Sequence, residues 1–190
     1  MPKIVDHNFY RKELLMKCFD LFAEKGYRSL TTRQLAKKLD ISTGTLYHYF
    51  PSKEALFIQL IEEITDKDIL SATDELKNLQ SETISEKVLA LGQFIKKNED
   101  FFQKQTFLMV NVFQQEEIMQ EKLLEAVRRS NRRYQKEIMY FLDIEKPEIA
   151  NHISCLLDGL IFQRILDPQL VSIDEQMELV AQILDSLRNK

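Results

Sequence analysis

TTRQLAKKLDISTGTLYHYFPSK, residues 31–53, is the stretch that decides the fold of this chain. Thr31, with Gln34 three residues later, predicts a capping box at the start of a short helix. Ser42 predicts the N-cap of a second short helix. Pro51 predicts its end, because the residue before a proline is pushed out of the helical region. The stretch therefore predicts two short helices joined by a tight connection.

The second of these helices has few side chains for a core. Leu46 and Phe50, four residues apart, form its apolar ridge. Threonine can meet base edges, glycine permits close approach to a groove, and tyrosine, histidine or lysine can donate to phosphate oxygens. Helix N-termini also attract anions. We therefore interpret the pair as a helix-turn-helix and expect DNA contacts from Thr31, Thr32, Arg33, Ser42, Thr43, Gly44, Thr45, Tyr47, His48, Tyr49 and Lys53.

Motifs on both sides of this stretch complete a family signature. They are Phe22-Ala23-Glu24-Lys25-Gly26-Tyr27, Thr31-Thr32, Ile41-Ser42, Gly44-Thr45-Leu46-Tyr47, Tyr49-Phe50 and Lys53-Glu54-Ala55-Leu56. Over residues 8–60 the chain resembles the N-terminal part of TetR/AcrR-type transcriptional regulators. The resemblance implies a DNA-binding regulator, by default a repressor that occupies a promoter, with activation as the alternative. It also implies a bacterial-type cytoplasmic protein that is nucleoid-associated when bound.

The remaining sequence predicts helices throughout. The chain has 190 residues with only four glycines and four prolines, and no segment alternates as a strand does. We expect an all-α protein of about nine helices: a three-helix helix-turn-helix DNA-binding domain in residues 1–52 and a helical ligand-binding, regulatory and dimerisation domain in residues 53–190. The first helix should begin near Asn8 and end at Gly26 in a left-handed conformation. Later helices should be separated by breaks at residues 77–85, 98–100, 143–147 and 167–168, with a further boundary between 115 and 116.

The charge is unevenly distributed along the chain. The formal net charge is −4, yet residues 1–57 hold ten Lys or Arg against six Asp or Glu, and residues 58–190 hold sixteen against twenty-four. The basic excess thus lies where a duplex should bind. We expect no membrane partner, since no apolar run approaches 18 residues, and we expect no signal peptide before the first helix. The isolated Cys18 and Cys155 are expected to be reduced thiols.

The last two predicted helices, about 148–166 and 173–187, carry more apolar residues than one buried face requires. Some of this surface is expected to face a second copy, and the resemblance implies a homodimer with a four-helix interface. A two-fold dimer would match a palindromic operator. The alternative is that both helices are internal core. The expected interface residues are Ile153, Leu157, Leu160, Ile161, Val180, Ile183, Leu184 and Leu187.

Large apolar side chains are also concentrated in the middle of the chain. Aromatic residues and methionines there can line an apolar cavity between helices, although the same spacing is usual in an ordinary core. A repressor that releases DNA needs a ligand that prefers one of two conformations. We therefore expect a small, apolar or amphipathic effector. The candidate ligand-binding residues are Phe94, Phe102, Phe107, Met109, Phe113 and Tyr134.

A basic cluster lies outside the helix-turn-helix, at Arg128, Arg129, Arg132 and Arg133. It could bind an anionic part of an effector or partner. The alternative is ordinary surface pairing with glutamates four residues away.

The sequence offers little for catalysis. It contains no phosphate-binding loop, no dinucleotide fingerprint and no nucleophile elbow, and neither cysteine has a nearby histidine. We expect no enzyme, no cofactor and no metal. His152 is interpreted as an interface or core histidine, because no second ligand lies at i+3 or i+4, and His7 as a frayed terminal residue. The alternative function is a helical ligand-carrier or protein-interaction module without DNA binding.

Overall fold

Nine α-helices and no strands make up the described part of the chain, which confirms the predicted all-α class. The computed structural model describes residues 6–77, 83–114 and 117–188, with the side chains of 117–120, 187 and 188 outside the description. In chain order the helices are α1 (His7–Lys25), α2 (Thr32–Lys38), α3 (Thr43–Tyr49), α4 (Lys53–Leu76), α5 (Ile84–Lys97), α6 (Glu99–Phe113), α7 (Glu117–Leu142), α8 (Pro147–Leu166) and α9 (Ile173–Arg188).

Capping residues explain where these helices begin. Thr31 forms the predicted capping box with Gln34, and Thr83 forms a second one with Glu86. Each box satisfies two backbone N–H groups that have no partner inside the helix. The α8 helix instead starts at a proline, whose missing N–H costs nothing at that position. The helix starts therefore follow from local sequence.

Two predicted boundaries differ in detail. Helix α6 begins at Glu99, not near residue 101 as predicted. The break between α5 and α6 is therefore a single residue, Asn98. Gly26 ends α1 with φ 77° and ψ 153°, so its φ is positive as predicted but its backbone is not in the left-handed helical region. The predicted boundary between 115 and 116 and most of the predicted 77–85 break lie outside the described residues.

The chain forms two compact units, and each contains segments that are distant in sequence. The first unit combines Met1–Lys67 with Phe107–Ser130, and the second combines Asp68–Thr106 with Asn131–Lys190. This is a division by packing. The division into a DNA-binding domain up to residue 52 and a regulatory domain after it concerns function and stays a prediction.

The core of the first unit is built on α1. One face of α1 is buried, and the apolar ridge of α3 is buried with it. Leu108 and Val112 of α6 and Leu123 of α7 are also buried in this unit. The buried apolar side chains of its helix-turn-helix segment and α1 are Leu14, Leu15, Cys18, Phe19, Phe22, Leu35, Ala36, Leu39, Leu46 and Phe50.

The second unit has its own apolar core, to which α5, α8 and α9 contribute. Gly92 of α5 shows how closely α5 and α9 pack: a Cβ atom there would lie 2.7 Å from the Cγ atom of Met177. A larger residue at position 92 would therefore require the Met177 side chain or one of the two helices to shift. No described helix is both long enough and apolar enough to pass through a lipid bilayer.

Candidate nucleic-acid interface

The start of α2 is fixed by hydrogen bonds from its own side chains. The Thr31 Oγ1 atom accepts from the Gln34 backbone N–H at 3.2 Å, and the Gln34 Oε1 atom accepts from the Thr31 N–H at 2.8 Å. Thr32 is half-buried and Arg33 is exposed in the first turn. A rigid helix start with an adjacent guanidinium group is suited to a phosphate.

The start of α3 is fixed in the same way. The Ser42 Oγ atom accepts from the Thr45 N–H at 2.9 Å and lies 2.8 Å from the Thr45 hydroxyl. The predicted N-cap is therefore confirmed. The hydroxyl groups of Ser42 and Thr45 already share a hydrogen bond, so Thr45 would meet a base edge through its methyl group or its remaining hydroxyl capacity.

Gly44 is exposed on α3, and nothing inside the chain requires it to be a glycine. A Cβ atom built there would meet the Ser42 Oγ atom at 3.6 Å, an ordinary contact. Glycine in a helix costs about 1 kcal/mol relative to alanine. Close approach of a DNA groove would explain the absence of a side chain at Gly44, and this role stays a prediction.

The three rings at the end of α3 do not share one environment. Leu46 and Phe50 anchor the helix in the core, while Tyr47 is 51% exposed and His48 is exposed. Tyr49 is half-buried. Tyr47 and His48 are thus presented to solvent, as a DNA-contacting surface requires.

Tyr49 connects α3 to the start of α1. Its hydroxyl lies 2.9 Å from the Nδ1 atom of His7, and its ring packs edge-on against Tyr10 at 5.6 Å and against His48 at 5.1 Å. His7 was expected to be a frayed terminal residue, and this is wrong: it is the first residue of α1 and contacts the end of α3. The expectation failed because the contact spans 42 residues of sequence.

Lys53 has intramolecular partners that its sequence position does not reveal. Its Nζ atom donates to the backbone carbonyls of Tyr27 at 3.0 Å and Leu30 at 2.9 Å, and lies 3.9 Å from the centroid of the Tyr27 ring. Burial lowers the pKa of the ammonium group. These contacts hold the connection between α1 and α2 against α4. Two of its three N–H donors are used, and a contact from the third to phosphate stays a prediction.

The same connection is held from its other side by Asn111, which the sequence analysis did not single out. The Oδ1 atom of Asn111 accepts from the Tyr27 backbone N–H at 2.8 Å, and its amide group donates to the Phe107 carbonyl at 2.6 Å. A Cβ atom on Gly26 would lie 3.0 Å from that Oδ1 atom. One available signal was a single asparagine within the apolar run LMVNVF at residues 108–113.

The Tyr27 ring completes the support. It packs against Phe22 at 5.6 Å and Phe57 at 4.8 Å. Burial, together with the nearby Glu54 carboxylate, raises the pKa of Tyr27 to about 12. The connection that leads into α2 is therefore rigidly placed by contacts to α1, α4 and α6.

The predicted effector residues are divided between the two units. In the first unit, Phe107 is 44% and Phe113 67% exposed, while Met109 is half-buried. In the second unit, Phe94 is buried in the apolar core, and Phe102 and Tyr134 are half-buried. Their role in ligand binding stays a prediction.

The predicted dimer residues lie mostly inside the second unit. Ile153, Leu160, Ile161, Val180 and Leu184 are buried in its core, and Leu157 packs against that core. Ile183 is 41% exposed, and the side chain of Leu187 lies outside the described residues. Among the described residues of the terminal helices and their connection, the large apolar side chains that are exposed are the predicted Ile183 together with Phe162, Leu166, Leu170 and Leu179.

The arginine cluster forms surface ion pairs. Arg128 pairs with Glu121 at 2.7 Å and Glu125 at 3.5 Å, and Arg129 pairs with Glu62 at 2.8 Å. These contacts favour the solvated-face interpretation. His152 is exposed, and within the described part of the chain no group of His, Cys, Asp or Glu is arranged to hold a metal ion.

Comparison with known proteins points in the same direction as this geometry. Residues 15–60 match the family model described as "Bacterial regulatory proteins, tetR family". Over 193 residues the chain is 23% identical to the HTH-type transcriptional regulator BetI of Vibrio parahaemolyticus, with 97% of this chain and 95% of that protein covered.

Two solved structures share the fold. A Saccharomonospora viridis protein in complex with choline superimposes with a TM-score of 0.67 at 17% identity, covering 94% of this chain and 97% of that one. The transcriptional regulator FadR of Bacillus subtilis, in complex with stearoyl-CoA, superimposes with a TM-score of 0.65 at 16% identity, covering 92% and 97%. At these identities the likeness concerns the fold alone.

Proposed function

This chain is a transcriptional regulator of the TetR/AcrR family, and on that premise we propose that it acts as a homodimeric repressor that binds a palindromic operator and is released by a small apolar or amphipathic effector. It works on the bacterial nucleoid in the cytoplasm. Because its relatives are named as regulators, we propose no catalytic activity for it. Residues up to 52 form the DNA-binding part and residues from 53 onward the regulatory part.

The observation that carries the proposal is the exposed face of α3. Leu46 and Phe50 hold the helix in the core, so Gly44, Tyr47 and His48 face outward together. This face has the width of a single helix, which fits the major groove of B-form DNA. We assign base contacts to Thr43, Gly44 and Thr45, and backbone contacts to Thr31, Thr32, Arg33, Ser42, Tyr47, His48, Tyr49 and Lys53.

The experiment that tests this proposal is selection of DNA from a random pool, followed by fluorescence anisotropy on the enriched sequence. Tyr47→Ala should weaken binding to all sequences, since Tyr47 contacts the backbone. Tyr140→Ala is a matched control, because Tyr140 is 78% exposed and lies on α7. Equal affinities for the two variants and the wild type would refute the assignment of α3. Failure of the pool to enrich would refute DNA binding itself.

The proposed dimer uses the outward apolar residues of the terminal helices. Phe162 is 48%, Leu166 65% and Leu179 49% exposed, and aromatic and aliphatic residues exposed together are typical of an interface between copies. A two-fold dimer would carry two copies of α3, which matches the two half-sites of a palindromic operator. Sedimentation equilibrium should give a dimer for the wild type and a monomer for Phe162→Glu. A monomeric wild type at micromolar concentration would contradict the dimer.

The proposed effector follows from the family and from what its structural neighbours hold. One neighbour was crystallised with choline and another with stearoyl-CoA, both small molecules. The candidate contacts are Phe94, Phe102, Phe107, Met109, Phe113 and Tyr134. An effector that binds the DNA-free conformation more tightly than the DNA-bound one shifts the equilibrium between them toward release. The size of the shift is set by the ratio of the two affinities. Release of labelled operator by the effector, measured by anisotropy, tests this part.

A further inference from the structure

Asp68 is a buried carboxylate in the second unit. It lies on α4 and is only 6% exposed. Tyr134 of α7 and Gln105 of α6 donate hydrogen bonds to it. The Gln105 Nε2 atom lies 3.3 Å from the Tyr134 hydroxyl, so the three side chains form one cluster where three helices meet.

The hydrogen-bond donors of this cluster are neutral groups. Burial raises the pKa of Asp68 to about 6, and the hydrogen bonds from Tyr134 and Gln105 offset part of that effect. At neutral pH the carboxylate is therefore still mostly ionised. A buried charge that faces only neutral donors carries an uncompensated desolvation cost.

A purely structural role would not need this charge. Asparagine has almost the same shape, and its amide oxygen can accept a hydrogen bond from a tyrosine hydroxyl without bringing an ion out of water. A costly charged group in a regulatory domain is more typical of a binding site than of a brace.

Two aromatic residues lie one helical turn before Gln105 on α6, and one of them, Phe102, also packs against Phe94 at 6.1 Å. Phe101 and Phe102 precede Gln105 by four and three residues, so all three lie on one face of the helix. Their rings are 5.9 Å apart in an edge-on arrangement, and both are half-buried. Aromatic faces beside a carboxylate are the usual surroundings of a protein-bound organic cation.

The cluster lies close to the surface of its unit. Gln105 and Tyr134 are half-buried, so both hydrogen-bond donors of Asp68 are partly exposed to solvent, and a cation that displaced them would reach its carboxylate. We propose that Asp68 binds the positively charged nitrogen of an amphipathic effector, with Tyr134 and the α6 aromatic residues around it. This inference rests on the proposed ligand control and adds the charge of the ligand to it.

The test uses three probes with one tail and different head groups: decyltrimethylammonium, decyl maltoside and decanoate, each below its critical micelle concentration. Binding to the full-length protein is measured by isothermal titration calorimetry, and melting temperature is followed in parallel. The wild type should bind the cation at least about tenfold more tightly than the other two probes, because one charged contact is worth about that factor. Equal binding of the three heads, preference for decanoate, or no binding would each overturn the inference.

Variants then locate the site. Asp68→Asn should remove the preference for the cation, whereas Asp66→Asn should keep it, since Asp66 is an exposed acid on the same helix. Retention of the preference in Asp68→Asn would also overturn the inference. The head-group comparison in the wild type stands by itself if that variant does not fold.

Operator binding is measured on the same samples, so that two failures can be told apart. A wild type that binds operator but shows no preference for the cation contradicts this inference and leaves the repressor intact. A wild type that binds no DNA contradicts the proposed function instead.

Discussion

Lys53 has two possible roles that make opposite predictions, and Lys53→Met separates them. The substitution keeps most of the apolar stem and removes the ammonium group. The structure shows two hydrogen bonds from that group, to the carbonyls of Tyr27 and Leu30, and its position over the Tyr27 ring. If these contacts are its main role, the variant should lose stability.

The size of the loss can be worked from these contacts. A hydrogen bond to a charged group contributes about 1.5–3 kcal/mol, and a cation–π contact about 0.5–2 kcal/mol. The half-buried ammonium group is partly desolvated, which lowers its pKa and offsets some of this gain. The low ends of these ranges, for two hydrogen bonds and one ring contact, total about 3.5 kcal/mol; after the desolvation offset we expect Lys53→Met to lower the free energy of unfolding by about 2 kcal/mol.

Urea denaturation followed by circular dichroism measures this change. Lys17→Met is the matched control, because Lys17 is exposed and, among the described residues, forms a solvent-screened ion pair with Glu13 on the same helix, which contributes little to stability. DNA binding is then titrated against salt. Loss of a direct phosphate contact lowers the slope of log affinity against log salt by about 0.9, whereas loss of a brace leaves the slope unchanged. Unchanged stability together with the reduced slope would refute the bracing role.

The remaining predictions concern three other positions. Gly44→Ala should raise the free energy of unfolding by about 0.5–1 kcal/mol, since the new methyl group has room beside Ser42. The affinity of this variant for operator DNA should nevertheless fall. Unchanged affinity in fluorescence anisotropy would mean that no DNA groove approaches Gly44. Asn111→Ala leaves the buried Tyr27 N–H without its acceptor and should lower the free energy of unfolding by about 1–3 kcal/mol, measured by urea denaturation. A loss below about 0.5 kcal/mol would mean that this hydrogen bond does not hold the connection between α1 and α2. The pKa of Asp68 is raised from 3.8 to about 6 in the folded protein, so the folded state loses stability as pH rises through that window. Asp68→Asn should therefore match the wild type near pH 4 and exceed it by about 1–3 kcal/mol above pH 6, and a wild type that is the more stable protein at pH 8 would contradict this.

The features that were predictable from sequence are those set by neighbouring residues. Capping by Thr31 and Ser42 depends on partners three residues away, and both caps are present. The buried ridge of Leu46 and Phe50 follows from helical periodicity, and it is buried as predicted. Local patterns are reliable here because each cap and ridge is determined within one or two helical turns.

The features that were not predictable depend on which residues meet from distant parts of the chain. Asn111 contacts Tyr27 across 84 residues, and no local pattern marks that pair. In α8 apolar residues occur on nearly every side, so periodicity could not separate the buried Leu160 from the exposed Phe162. The predicted interface therefore fell mainly on the inward side of the helix. Lys53 was likewise assigned only to phosphate, because its carbonyl partners come from the preceding connection.

The central claim is that the exposed face of α3 enters the major groove of DNA. A crystal structure of the protein bound to a DNA sequence selected from a random pool tests this claim most directly. We expect Gly44 to lie against base edges and the Tyr47 hydroxyl to lie within hydrogen-bond distance of a phosphate oxygen. A complex in which α3 faces solvent and another surface contacts the duplex would contradict it.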